Sequence, residues 1–96
     1  MYQSISNDEF YQERNNKPII DVREVDEYQN GHIPGAINMP LSELAQSYTQ
    51  LDKEQPYFVI CHSGARSANA SEFLGSQGYD VTNVMGGMSA WRGEIE

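Results

Sequence analysis

Tyr57-Phe58-Val59-Ile60-Cys61-His62-Ser63-Gly64-Ala65-Arg66-Ser67 is the stretch on which the reading of this chain turns. Its first four residues form a short apolar run rich in aromatic and β-branched side chains, the pattern of a buried strand. Ser67 to Gln77 reads as a helix, with Ala70, Phe73 and Leu74 on its inward face. The chain's single cysteine therefore stands where a strand ends and a loop curls into a helix N-terminus. In open α/β sheets, ligands collect outside the carboxyl ends of strands. A helix N-terminus offers unpaired N–H groups and partial positive charge, which favour anions. A thiol there should ionise more readily than an ordinary cysteine of pKa about 8.5. Ser63 and Gly64 allow a tight turn that aims successive N–H groups inward as an anion nest. Arg66 adds a permanent cation with planar donors. A cysteine after an apolar strand is, by itself, a small buried hydrophobe. The Ser-Gly-x-Arg that follows points to chemistry, because packing calls for neither glycine nor arginine there.

Outward from this loop, strands and helices alternate. On the C-terminal side, Gly78 suits a helix C′ position with Tyr79 as its apolar partner. Val81-Thr82-Asn83-Val84 reads as a strand, Met85-Gly86-Gly87-Met88 as a turn, and Met88 and Trp91 as one side of a last short helix. On the N-terminal side, Leu41, Leu44, Ala45 and Tyr48 follow the i, i+3, i+4, i+7 spacing of an amphipathic helix. His32 to Pro40 forms a loop entering a strand near Ala36–Asn38. Glu24 to Asn30 reads as a short acidic helix with Val25 and Tyr28 on one side, closed by Gly31. Pro18 to Val22 is a strand whose consecutive apolar residues suit a sheet covered on both faces. Ser6 and Glu9 match a capping box for a helix from about Asn7 to Arg14, with Ile5 and Phe10 at the staple positions. The alternation implies an α/β fold with a mainly parallel sheet and helices on both faces.

The chain has 96 residues, 39% hydrophobic and 21% charged, which suits one compact globular domain over residues 1–96. No apolar run approaches the ~20 residues that cross a bilayer. The first residues, Met1 to Ser6, lack a basic segment followed by an apolar one, so no secretory signal is expected. One cysteine forms no internal disulfide, consistent with a cytoplasmic setting. With two histidines and one cysteine, a structural zinc site is not expected. A formal net charge of −8 disfavours nucleic acid and anionic membrane surfaces as partners. An anionic substrate is repelled at long range as well, so the loop must act within a Debye length of ~8–10 Å.

With these residues in view, the chain resembles a single-domain rhodanese of the sulfurtransferase family. Asp21-Val22-Arg23-Glu24, Gly31-His32-Ile33-Pro34-Gly35-Ala36-Ile37-Asn38, Cys61 to Arg66, and Gly86-Gly87 with Ala90-Trp91 resemble the family's motifs in order. The resemblance implies a three-layer α/β/α domain with about five short strands. It implies transfer of sulfane sulfur through a persulfide on Cys61, without cofactor or metal. The donor would be thiosulfate or a low-molecular-weight persulfide, and the acceptor cyanide or a small or protein thiol. His62, Ser63, Gly64, Ala65 and Arg66 would surround the sulfur, and Arg66 would orient an anionic donor. Asp21, Arg23, His32 and Ser67 would support the loop. Such a domain would be a monomer or weak homodimer.

Two other readings compete. One is a binding or regulatory module that keeps the fold without turnover. The other is a small phosphatase or arsenate reductase. Those related enzymes resemble Cys-x5-Arg, whereas four residues separate Cys61 from Arg66 here and the next position is Ser67. The shorter ring suits one sulfur atom. The acidic cluster Glu24, Asp26 and Glu27 reads as a solvated face.

Overall fold

The structure is a computed structural model that describes residues 2–96; Met1, the first residue of the N-terminal reading, lies outside the described residues. Five strands form a wholly parallel sheet: β1 (Gln3–Ile5), β2 (Ile19–Asp21), β3 (Ile37–Asn38), β4 (Tyr57–Ile60) and β5 (Val81–Val84), in the order β1-β5-β4-β2-β3. The helices are α1 (Asn7–Glu13), α2 (Val25–Gln29), α3 (Leu44–Ser47) and α4 (Ala65–Ser76), with 3-10 turns at Leu41–Glu43, Tyr48–Gln50 and Gly87–Ala90.

Both faces of the sheet are covered, which is why its strands read as unbroken apolar runs. Ile20, Tyr57, Val59, Cys61 and Val81 pack with Leu44 of α3 and Ala70 and Leu74 of α4. Ile19, Phe58, Ile60 and Val84 pack on the other side with Phe10 of α1, Tyr28 of α2 and Trp91. Phe10 meets Phe58 edge-on at 4.9 Å between ring centroids. The expected three-layer arrangement is thus present. Strands β4 and β5 fall on the residues expected.

Other elements differ from the sequence reading for physical reasons. Strand β1 was not foreseen. Its residues are largely polar and exposed, and it exists by pairing Gln3, Ser4 and Ile5 with Thr82, Asn83 and Val84. The amphipathic helix expected around Leu41–Tyr48 is a single α-turn between two 3-10 turns. The tighter winding brings i and i+3 into line. Leu44 is buried while Ala45 is exposed. Val25, read on one side of the helix with Tyr28, is 47% exposed, while Tyr28 packs against the core. Helix α4 begins at Ala65, two residues earlier than expected. It ends as expected, with Gly78 N–H on Gly75 O at 3.1 Å and Tyr79 N–H on Leu74 O at 3.0 Å, a Schellman closure. Ser6 caps α1 by accepting from Glu9 N–H at 3.2 Å.

The strand order places a switch point between β4 and β2. From β2 the chain proceeds to β3 on one side; from β4 it proceeds to β5 on the other. The crevice between diverging connections is where ligands bind in such sheets. The Cys61 loop leaves β4 at this point. Arg23 and α2 leave β2 beside it.

The turn after β5 grips that loop from behind. Met88 N–H donates to Cys61 O at 2.7 Å and Ser89 N–H to His62 O at 2.8 Å. Gly87, at φ +53°, lies so close that a Cβ would fall on the Cys61 carbonyl oxygen and 2.6 Å from that of His62. Gly87→Ala should therefore lower stability by about 3 kcal/mol, since backbone and not a yielding side chain stands in the way. A shift of the urea midpoint to lower concentration at unchanged m-value checks this; an unchanged midpoint refutes it.

Candidate active site

Cys61 is 1% exposed and lies at the floor of the loop. Gly64 N–H donates to its Sγ at 3.0 Å. Gly64 is able to do so because it sits at φ +109°, where a side chain is strained, and because its backbone runs close to Gly86. Sγ also lies 3.3 Å from Ser67 Oγ, and Ser67 Oγ donates to Gly64 O at 3.2 Å. Sulfur, hydroxyl and peptide thus close a small ring. With the thiol protonated, its S–H points to Ser67. With the thiolate, the Ser67 hydroxyl is free to turn and donate to sulfur.

Burial pushes the thiol pKa up, but hydrogen bonds from the Ser67 hydroxyl and from the Ser67, Gly64 and Ser63 amides outweigh it, and the net shift is downward. His62 and Ser63 are exposed at the loop's outer side, as is Ala65. The grip fixes two of the loop's peptides: with the Cys61 and His62 carbonyls held by Met88 and Ser89, the His62 and Ser63 N–H groups face the other side, and the Ser63 amide is among those that stabilise the thiolate.

Arg66, on the first turn of α4, makes a two-pronged pair across the crevice. Its Nη1 donates to Glu27 Oε1 at 2.7 Å and its Nη2 to Glu27 Oε2 at 2.9 Å. Glu27 is therefore not part of a solvated acidic face; it is a partner of the loop. The same Oε1 accepts Glu24 N–H at 3.1 Å, closing the first turn of α2. The Arg66 hydrogen bonds hold the Glu27 carboxyl at about 2, against burial, with help from the Glu24 amide. A depressed carboxylate stabilises the fold fully above its ordinary 4.5, and the contribution is lost as pH falls through about 2. The pair is closed throughout the neutral range. Sequence reading missed Glu27 because its partner lies 39 residues away. The one available signal is its place three residues after Glu24, at the turn opening α2.

Asp21 and Arg23 brace the crevice from the β2 side. Arg23 Nε and Nη2 bond the Asp21 carboxylate at 3.0 and 2.8 Å, and Nη2 reaches Gly31 O at 2.8 Å. Asn38, a residue the sequence reading did not single out, donates to Asp21 O and Arg23 O at 3.0 and 2.9 Å. His32 is structural: Nδ1 lies 2.9 Å from Tyr28 O, and its ring stacks on Tyr28 at 3.8 Å.

A thiol of lowered pKa, with main-chain amides and a hydroxyl around it, thus stands at the sheet's switch point. Comparison with known proteins agrees on the family. The family model for the rhodanese-like domain matches residues 6–94. This chain belongs to the rhodanese-like domain family. Among curated relatives, it is 42% identical over 79 residues to the Bacillus subtilis protein YrkF, provisionally named a sulfur carrier. That match covers 81% of this chain and 43% of YrkF, so the chain spans less than half of that relative's length. It is 42% identical over 74 residues to the thiosulfate sulfurtransferase GlpE of Shewanella oneidensis, covering 76% of this chain and 73% of GlpE. Among solved structures, a rhodanese-related protein of Thermoplasma volcanium superposes with a TM-score of 0.94 at 36% identity, covering 99% of this chain and 98% of that one. No helix of this rhodanese-like chain, among the described residues, is long and apolar enough to cross a membrane.

Ser67→Ala removes the strongest hydrogen bond to the thiolate and leaves burial in place. The Cys61 pKa should rise, seen as a higher pH midpoint for alkylation by iodoacetamide. A midpoint equal to wild type would remove Ser67 from the ring that holds the charge.

Proposed function

We propose that this chain is a sulfurtransferase that carries sulfane sulfur as a persulfide on Cys61. The observation that carries this reading is the ring of Gly64 amide, Ser67 hydroxyl and sulfur, which offers uncharged donors to one anionic sulfur. Residues 1–96 act in it as one domain, and a reducing cytoplasm keeps the thiol available.

In the first half-reaction, the Cys61 thiolate attacks the outer sulfur of the donor. With thiosulfate, the S–S bond breaks, sulfite leaves with the bonding pair, and Cys61–S–S⁻ remains. With a hydropersulfide R–S–SH, the thiolate R–S⁻ leaves and Cys61–S–SH remains. In the second half-reaction, cyanide or a thiolate attacks the outer sulfur and Cys61 departs as thiolate. The two steps make this covalent catalysis with ping-pong kinetics. The inward amides from His62 to Arg66 stabilise charge on sulfur in both, as an oxyanion hole does for oxygen. A separate general base is not required, because the loop itself favours the thiolate.

The loop length also supports sulfur over phosphate. Four residues between Cys61 and Arg66 make a narrower ring than the Cys-x5-Arg loop of the related phosphatases.

Incubation of the protein with thiosulfate, and separately with cysteine hydropersulfide, should add one sulfur atom to the intact mass. Dithiothreitol should remove it, and Cys61→Ser should gain none. A wild-type mass unchanged by both donors would leave the fold without this activity and favour the binding-module reading.

A further inference from the structure

We propose that Glu27 determines which sulfur donor this site accepts: by occupying both terminal nitrogens of Arg66, it withholds the cation a dianionic donor needs, and so selects hydropersulfides over thiosulfate. The inference rests on the persulfide chemistry proposed for Cys61.

The geometry bears on the choice directly. Thiosulfate presents a sulfonate whose oxygens match the planar fork of a guanidinium. Both prongs of that fork in Arg66 already meet carboxylate oxygens, at 2.7 and 2.9 Å. Arg23, the arginine that follows β2, is likewise held, by Asp21 at 2.8 Å. Glu24, which opens α2, adds a second carboxylate whose charge acts on Arg66, in a chain of net charge −8. A dianion approaching the Cys61 thiolate thus meets added negative charge and a neutralised arginine. A hydropersulfide asks for less. Its outer sulfur carries at most one charge on a single atom, which the loop amides receive without a cation, and the group that leaves is a thiolate with no oxyanion to pair.

The pair is also placed to act on the reacting atoms and not merely on stability. Arg66 lies five residues after Cys61, within the loop's own helix turn, and its guanidinium is held charged chiefly by Glu27 and, in smaller part, by the Cys61 thiolate. The two side chains span the crevice between elements leaving β2 and β4, where a donor enters. Glu27 acts through Arg66. It is a specificity-determining residue and not a catalytic one.

The test is a double-mutant cycle read as the ratio of Cys61 loading rates, thiosulfate over cysteine hydropersulfide, followed by intact mass. Wild type should load faster from the hydropersulfide. Glu27→Gln retains the oxygen that caps Glu24 N–H but loses the charge, and should raise the ratio about fivefold as Arg66 becomes available to sulfonate. Glu27→Gln with Arg66→Ala should return the ratio to the wild-type value. Glu27→Asp, which restores the charge, should do the same. Arg66→Ala alone leaves the Glu27 charge uncompensated and should lower the ratio below wild type, whatever it does to the hydropersulfide rate. Equal losses with both donors in Glu27→Gln would reduce Glu27 to a brace and overturn the proposal. A gain that survives Arg66→Ala in the double variant would overturn it as well. If wild type loads from neither donor, it is the persulfide reading that fails, a result distinct from an unchanged ratio.

Discussion

The whole site depends on which way a few peptide groups point. The Cys61 and His62 carbonyls are drawn outward by the Met88 and Ser89 amides, at 2.7 and 2.8 Å. A peptide with its carbonyl fixed on one side presents its N–H on the other. The Ser63 amide is thereby turned toward the sulfur, and Gly64 N–H, from the next peptide, meets it at 3.0 Å. Gly87 permits the approach because it has no Cβ to keep the two segments apart. The contact links the ends of β4 and β5, so the parallel register of those strands is itself part of the site. Tyr57, Phe58 and Val59 stand against Val81, Thr82 and Asn83, and that register delivers both turns to the same height.

Charge is arranged around this backbone cradle with restraint. The sulfur is stabilised by amides and a hydroxyl, groups that carry no net charge and cost little to bury when paired. The arginines near it are each matched to a carboxylate: Arg23 to Asp21, and Arg66 to Glu27. The first pair is almost wholly buried and anchors the Gly31 carbonyl, joining β2 to the loop that leads to β3. The second is about one-third exposed and joins α2 to α4 across the sheet's switch point. One pair holds the scaffold, and the other borders the entrance. Acidic residues on a short helix thereby serve two purposes, solvation at Asp26 and positioning at Glu27.

The central strands and the Cys61 loop were legible because their signals are local. Tyr57–Ile60 and Val81–Val84 are short apolar or β-branched runs bounded by turn residues. Gly78 and Tyr79 announce a helix end through chemistry confined to a few residues. Ser6 and Glu9 do the same for a helix start. The cysteine's setting at a strand-to-helix turn followed from these, and so did its lowered pKa. Less was legible where a residue's environment is supplied from afar. Gln3-Ser4-Ile5 has no strand-like composition and becomes one only against β5. The run from Leu41 to Tyr48 carries a helical spacing, yet two 3-10 turns tighten it and leave Ala45 in solvent. Ile5 and Phe10 read as a staple at a helix start; in the fold both also belong to the core beneath α1.

Spacing along the chain was enough to establish the alternation of strands and helices, the loop at Cys61, and the family to which these motifs belong. Those features are short-range, governed by backbone preferences and by apolar periodicity within a few residues. The order of strands, the grip of Gly87 to Ser89 on the loop, and the pairing of Glu27 with Arg66 arose only when distant segments were brought together. Hydrogen bonds and ion pairs fall away within a few ångströms, and a linear chain does not record which of its fourteen carboxylates will come within reach of a given arginine.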